Sequence, residues 1–187
     1  MKYSEFRLSG SGGQGLILAG IILAEAALQN GKNVVQSQSY GPEARGGASK
    51  AEVIISDDLI YYPKIENCDV LLALTQKAYD KYIDSLKPGG LLILDNMITR
   101  KANRNDVDVY SMPILSTAAD KLNKMMVANI VALGCICELS NIVDKKYVEK
   151  AVMNRVPHGT EELNKKALIE GFKLVKDKKR EMYYEVC

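Results

Sequence analysis

The sequence predicts an α/β fold, a mostly parallel sheet between layers of helices that ends in a helical C-terminal region. Three observations carry this prediction. Strand-like and helix-like stretches alternate along most of the chain, joined by short glycine-marked turns. Two strand candidates, Asp69 to Leu74 and Leu91 to Leu94, are continuous apolar runs, the pattern of strands covered on both faces. Beyond Thr117 the periodic stretches all have helical spacing.

The elements follow in order. Glu5 to Ser9 is a short first strand that ends in glycines. Leu16 to Leu28 carries Leu, Ile and Ala at helical spacing, and Gly31 stops it. Asn33 to Ser39 is a second strand, β-branched at its start. Tyr40 to Ala48 holds Gly41, Pro42, Gly46 and Gly47 and reads as a loop. Ser49 to Ser56 alternates apolar and polar residues as a third strand. After the strand at Asp69 to Leu74, Gln76 to Leu86 is amphipathic and stops at Pro88-Gly89-Gly90. Val107 to Met112 follows the strand at Leu91 to Leu94 and is closed by Pro113. Helices are expected at Thr117 to Lys124, Met125 to Leu139, Lys145 to Met153 and Glu161 to Lys176. The sum is a Rossmann-like three-layer sandwich. A weak boundary near Asn141 separates an α/β body (about 1–140) from a helical tail (about 141–187). That tail is too short to fold alone, so 1–187 is expected to be one domain.

Composition narrows the function. Hydrophobic residues make up 47% of the 187 positions, enough for one core. With 25 basic and 23 acidic residues the net charge is +2, so no field attracts nucleic acid. The basic run from Lys173 to Arg180 contains Asp177 and reads as a solvated helix end. Cys68, Cys135, Cys137 and Cys187 form no Cys-x-x-Cys pair. On a helix Cys135 and Cys137 point about 200° apart and share no metal. Reduced thiols and a cytoplasmic location are expected. Met1 leads into polar residues, with no signal-peptide pattern. Met125 to Leu139 is too short to span a membrane. The lone His158 sits in a helix-to-helix connection, where capping or packing outweighs catalysis.

Gly10-Ser11-Gly12-Gly13-Gln14-Gly15 is the strongest local motif. Gly10, Gly12 and Gly15 fit G-x-G-x-x-G between a strand and a helix, the context that the pattern requires. A nicotinamide site also needs an acidic residue about 20 positions on. None occurs from Ala26 to Gly41. That weighs against a nicotinamide reading without removing it, and favours two others: a purely structural turn, or an anion site at the helix start. The loop after the second strand is expected on the same sheet edge. There Gly41-Pro42 fixes a turn, Gly46-Gly47 allows close backbone approach, Arg45 offers a planar fork for carboxylate or phosphate, and Tyr40 offers a ring with a polar tip. A solvated turn with a local Glu43–Arg45 pair is the plainer alternative. Elsewhere no nucleophile has a base beside it. Asp95 is expected to cap the next element. Asn129 and Gly134 are expected to pack and to make an internal hydrogen bond.

Taken together, these motifs resemble the gamma subunits of the 2-oxoacid:ferredoxin oxidoreductases. The resemblance rests on Gly10 to Gly15, on Gln38-Ser-Tyr-Gly-Pro-Glu-Ala-Arg-Gly-Gly47 continuing through Ala48-Ser-Lys-Ala-Glu-Val53, on Pro88 to Asp95, and on the Asn129 to Gly134 helix. It extends through about Val175, and the wording of the second loop is nearer to the 2-oxoglutarate branch. It implies a complex that oxidatively decarboxylates a 2-oxoacid, joins the acyl group to coenzyme A and reduces ferredoxin. It also implies thiamine diphosphate and 4Fe-4S clusters in partner subunits of alpha, beta and delta type. No catalytic or metal site is then expected in this chain, which is able to pair with a copy of itself when isolated. The candidate ligand-facing residues, toward coenzyme A at a subunit interface, are Gly10, Ser11, Gly12, Gly13, Gln14, Gly15, Tyr40, Gly41, Arg45 and Gly46. The competing functional readings are a stand-alone Rossmann-like nucleotide-binding protein and a scaffold module without a ligand.

Overall fold

A computed structural model describes residues 3–38 and 47–186, with side chains through Tyr184. The strands are β1 (Tyr3–Ser11), β2 (Asn33–Gln38), β3 (Ala48–Ser56), β4 (Cys68–Ala73), β5 (Leu86–Asp95) and β6 (Asp108–Met112). They form one sheet in the order β2-β3-β1-β4-β5-β6. The helices are α1 (Leu16–Gln29), α2 (Gln76–Tyr82), α3 (Ile114–Ser116), α4 (Ala128–Ser140), α5 (Lys145–Arg155) and α6 (Glu161–Val186).

β1, β4, β5 and β6 run parallel, with Leu8 beside Leu72 and Leu72 beside Ile93. β3 is the exception, antiparallel to both β1 and β2. The linker explains this reversal. Only residues 39–47 join β2 to β3, whereas a parallel return needs a crossover of a dozen or more residues. β3 therefore folds straight back and inserts between β1 and β2.

Alternation along the strands divides the core between two faces. Phe6, Leu8, Val53, Ile55, Leu72 and Ile93 face α1, α4, α5 and α6. The expected tail packs on this face, because Val148, Val152, Leu168 and Phe172 belong to the same cluster as Phe6. On the other face Ile54, Leu71, Leu92 and Leu94 meet Ala78, Tyr79 and Tyr82 of the short α2. That thinner side also buries Arg7, directly opposite Glu52 in the strand register. Arg7 Nη2 lies 2.6 Å from Glu52 Oε1 and 2.9 Å from the Ile65 carbonyl, and Nη1 donates to Ser85 Oγ. A guanidinium out of water is tolerated when its donors are filled in this way.

Several boundaries move from their expected places. β1 runs on to Ser11, because Gly10 and Ser11 pair with Ser49 and Ala48. Pro88-Gly89-Gly90 does not end an element. It lies within β5 as an irregularity, where Gly89 at φ 73° donates to the Asp106 carbonyl at 2.6 Å. Residues 117–121 form a π turn instead of an α-helix, and 125–127 a 3-10 turn ahead of α4. α6 continues past Lys176 to Val186. α4 is buried all round, from Ala128 to Cys137. It meets α6 at Gly134 and Gly171, where a Cβ on either glycine would strike backbone of the facing helix.

Candidate functional site

The carboxyl ends of β1, β4, β5 and β6 define one edge of the sheet. Ser11, at the end of β1, pairs with Ala48 at the start of β3, while Gln38 closes β2 beside Ala51. Both ends of the 39–47 segment thus reach the edge that carries the glycine turn, as the sequence implied. Tyr40, Gly41, Arg45 and Gly46 themselves lie outside the described residues.

The glycine turn uses its glycines unequally. Gly13 has φ 85° with open space where a Cβ would stand. Gly15 has φ 71° and is the N-cap of α1. A Cβ on Gly15 would lie 2.6 Å from Asn129 Nδ2. Gly10 packs against Gln14, Leu16 and Leu74. Only glycine adopts the left-handed region without penalty, so Gly13 and Gly15 shape the turn while Gly10 permits contact. Gly12 and Gly13 are exposed.

Two side chains hold the turn. Gln14 folds back so that its Oε1 accepts from Ser11 N at 2.7 Å. Asn129, at the start of α4, donates from Nδ2 to the Gly15 carbonyl at 3.1 Å, and its Oδ1 accepts from Ile130 N at 3.0 Å. Asn129 is nearly fully buried, so packing and an internal hydrogen bond are its roles, as expected. α1 has no side-chain cap and no acidic residue in its first turn. Its leading N–H groups, which have no intrahelical acceptor, face the same edge. This donor set is suited to an oxyanion, with the Ser11 N–H already taken by Gln14.

Other candidates resolve into structural roles. Asp95 is fully buried and spends both oxygens on backbone N–H groups, those of Met97 at 2.9 Å and Leu115 at 2.8 Å. His158 is exposed rather than packed, with Nδ1 3.4 Å from Glu161 Oε1 beside the start of α6. Cys68, Cys135 and Cys137 are free and buried. Burial pushes the Cys68 thiol up to about 11 and raises the other two as well, so none is a ready thiolate. Among the described residues no cluster of three His, Cys, Asp or Glu side chains is placed to hold a metal, and no helix is long and apolar enough to cross a membrane.

One feature of this edge escaped the sequence. An apolar cavity of about 320 Å³ opens beside the glycine turn, lined by Leu18, Met126, Val127, Val156, Pro157 and Leu163, with Asn129 also in its wall. Met125 and Met126 stand exposed next to it. In the sequence they open an apolar run and look like core.

The pyruvate ferredoxin/flavodoxin oxidoreductase family model matches residues 5–174. The chain is 50% identical over 176 residues to the 2-oxoglutarate synthase subunit KorC of Methanocaldococcus jannaschii, covering 92% of this chain and 94% of that one. It is 29% identical to the pyruvate synthase subunit PorC of Thermotoga maritima, covering 94% and 96%. Among solved structures it resembles a keto/oxoacid ferredoxin oxidoreductase gamma subunit from Geobacter sulfurreducens (TM-score 0.84, 51% identity, 93% of this chain and 99% of that one). It also resembles a 2-oxoglutarate:ferredoxin oxidoreductase from Magnetococcus marinus with 2-oxoglutarate, coenzyme A and succinyl-CoA bound. That match has a TM-score of 0.85 at 25% identity and covers 95% of this chain but 32% of the other.

Proposed function

This chain belongs to the pyruvate ferredoxin/flavodoxin oxidoreductase family, and on that premise we propose that it is the gamma-type subunit of a 2-oxoglutarate:ferredoxin oxidoreductase. The observation that carries the substrate is the gap in identity: 50% to a 2-oxoglutarate synthase subunit against 29% to a pyruvate synthase subunit, each over nearly the full length of both chains. The complex cleaves carbon dioxide from 2-oxoglutarate, transfers the succinyl group to the coenzyme A thiol and delivers the released electron pair to ferredoxin. Thiamine diphosphate and 4Fe-4S clusters belong to partner subunits of alpha, beta and delta type. The described residues of this chain offer no ligand set for a cluster. We place the complex in the cytoplasm, in keeping with three free buried thiols, and read 1–187 as one domain.

The chain's own contribution is to bind and position. Coenzyme A, when bound, supplies the acyl-accepting thiol. Its phosphates suit the uncapped start of α1 and the backbone N–H groups of Gly12 and Gly13, with the Arg45 guanidinium as a charged partner from the neighbouring loop. Gln14 and Asn129 fix the turn that presents those groups. This role requires no acidic ribose ligand after β2, consistent with the neutral end of that strand.

The assay is 2-oxoglutarate-dependent and coenzyme A-dependent reduction of a low-potential dye by the anaerobically purified complex. Activity with 2-oxoglutarate well above that with pyruvate is expected; the reverse preference would overturn the substrate. Arg45→Ala is expected to raise the KM for coenzyme A about tenfold, the loss of one charge-assisted contact. Unchanged kinetics and assembly would remove Arg45 from the site.

A further inference from the structure

We infer that the Ser11 N–H is an oxyanion seat of the glycine turn, and that the Gln14 amide oxygen fills it as a placeholder until a ligand phosphate displaces it. The inference rests on the reading of this turn as a site for the phosphates of coenzyme A. It adds a donor and a gate to that reading.

Strand geometry aims the donor. The Ser9 carbonyl accepts from Leu74 N at 3.0 Å, so it faces β4. Residues two apart on a strand direct their backbone groups to the same side, so the Ser11 N–H faces β4 as well. β1 and β4 are paired from Phe6 beside Val70 to Ser9 beside Ala73. Ser11 lies beyond that last rung, which leaves its N–H at the mouth of the gap between the two strands. The chain diverges at this gap. α1, after β1, packs on one face of the sheet, and α2, after β4, packs on the other. In open α/β sheets a ligand lies in the crevice at such a divergence, beyond the carboxyl ends of the strands.

The seat already holds an oxygen atom. Gln14 Oε1 accepts from Ser11 N at 2.7 Å. A Cβ on Gly10 would overlap that oxygen, and would also stand 3.1 Å from Leu16 Cδ1 and 3.3 Å from Leu74 Cβ. Gly10 has no positive φ, so its backbone conformation does not call for glycine. Its missing side chain is what admits the oxygen.

Gln14 is displaceable. Among the described residues this bond is the one hydrogen bond of its side chain. Its amide oxygen is neutral, whereas a phosphate oxygen makes a charge-assisted bond about twice as strong. The backbone keeps its course when Gln14 withdraws. Gly10 and Ser11 stay paired with β3, Gln14 N donates to the Ser11 carbonyl at 3.4 Å, and Asn129 holds the Gly15 carbonyl. The emptied seat then offers a phosphate the Ser11 N–H beside the leading N–H groups of α1.

The test is a calorimetric titration of coenzyme A into the anaerobically purified complex without 2-oxoglutarate. Wild type is compared with Gln14→Ala, Gln14→Ser, Gln14→Glu and Arg45→Ala. Gln14→Ala and Gln14→Ser should each lower the Kd about fivefold, because the phosphate no longer displaces a neutral hydrogen bond. Gln14→Glu leaves a carboxylate on the seat and should raise the Kd about tenfold or more. A brace of the turn or a ligand contact has the opposite sign, so a higher Kd with either Gln14→Ala or Gln14→Ser overturns the inference. Unchanged affinity in all three Gln14 variants overturns it too, and the reading of the turn survives alone if Arg45→Ala still raises the Kd. Repeating the titrations with 3′-dephospho-coenzyme A identifies the phosphate that enters. The same shifts assign the pyrophosphate and their loss assigns the 3′-phosphate, and both support the seat. If neither Arg45→Ala nor Gln14→Glu changes the affinity, coenzyme A does not lie at this turn, and the reading falls together with the inference.

Discussion

The turn between β1 and α1 and the crossing of α4 with α6 both depend on glycine, for opposite reasons. At the turn, Gly13 and Gly15 supply left-handed backbone, and the polar groups they leave face the sheet edge. At the crossing, Gly134 and Gly171 are buried and have ordinary φ values; they are needed because two backbones touch. A missing side chain creates an exposed donor surface in one region and removes all solvent from the other. The first is a place for a ligand and the second is a place for stability.

Substitutions at these glycines sharpen or break that contrast. The largest effect belongs to Gly171→Ala. Its Cβ would overlap the Val131 carbonyl and approach Gly134 Cα, so α4 and α6 must separate. A loss of about 3 kcal/mol in denaturant unfolding is expected. A loss below about 1 kcal/mol would mean that the helices slide apart freely.

Gly15→Ala comes next, at about 2–3 kcal/mol, because it adds left-handed strain to displacement of Asn129. Asn129→Ala alone should cost about 1–2 kcal/mol for the lost bond to Gly15. The double variant should cost less than the sum of the two, since both remove one contact. Strict additivity would show that Asn129 does not restrain the turn.

Gly13→Ala should cost about 1 kcal/mol, since only its φ opposes the change. A cost equal to that of Gly15→Ala would erase the distinction between them.

The smallest effect is a pH dependence on the stability side of the contrast. Burial pushes the Glu170 carboxyl up, but bonds from Lys121 and Lys173 hold it below its ordinary value of 4.5. A lowered carboxylate contributes stability that is present above the unfolded value and lost as the pH falls through the folded one. Glu170→Gln should therefore be less stable than wild type by about 0.5 kcal/mol near neutrality, given that Lys121 is largely exposed. Melting curves of the two proteins should converge below pH 4.5. A gap that widens there would reverse the assignment.

Much of the architecture was readable because local rules and tertiary context agree. The apolar run at Asp69 to Leu74 became β4, with strands on both sides, and the glycine motif became a strand-to-helix turn at the place foreseen. The reversal of β3 was also within reach, since the nine residues between β2 and β3 are too few to return a strand in parallel. The site was only half legible. Gly10 to Gly15 announce a turn, but nothing in their spacing says that Gln14 fills the Ser11 N–H or that Asn129, distant in sequence, secures Gly15. Nothing local marks Arg7 as buried, because its burial depends on Glu52, Ile65 and Ser85 converging from three other segments.

By itself the sequence determined the alternation of elements, the glycine turn with no acidic partner after β2, and the family resemblance. These depend on periodicity and on backbone freedom, which are properties of neighbouring residues. Tertiary structure alone decided which side chains secure the turn, which glycines are spent on packing, and that Met125 and Met126 face water beside a cavity. Those outcomes depend on contacts between residues far apart in the chain, and exposure belongs to a residue only after its neighbours have arrived.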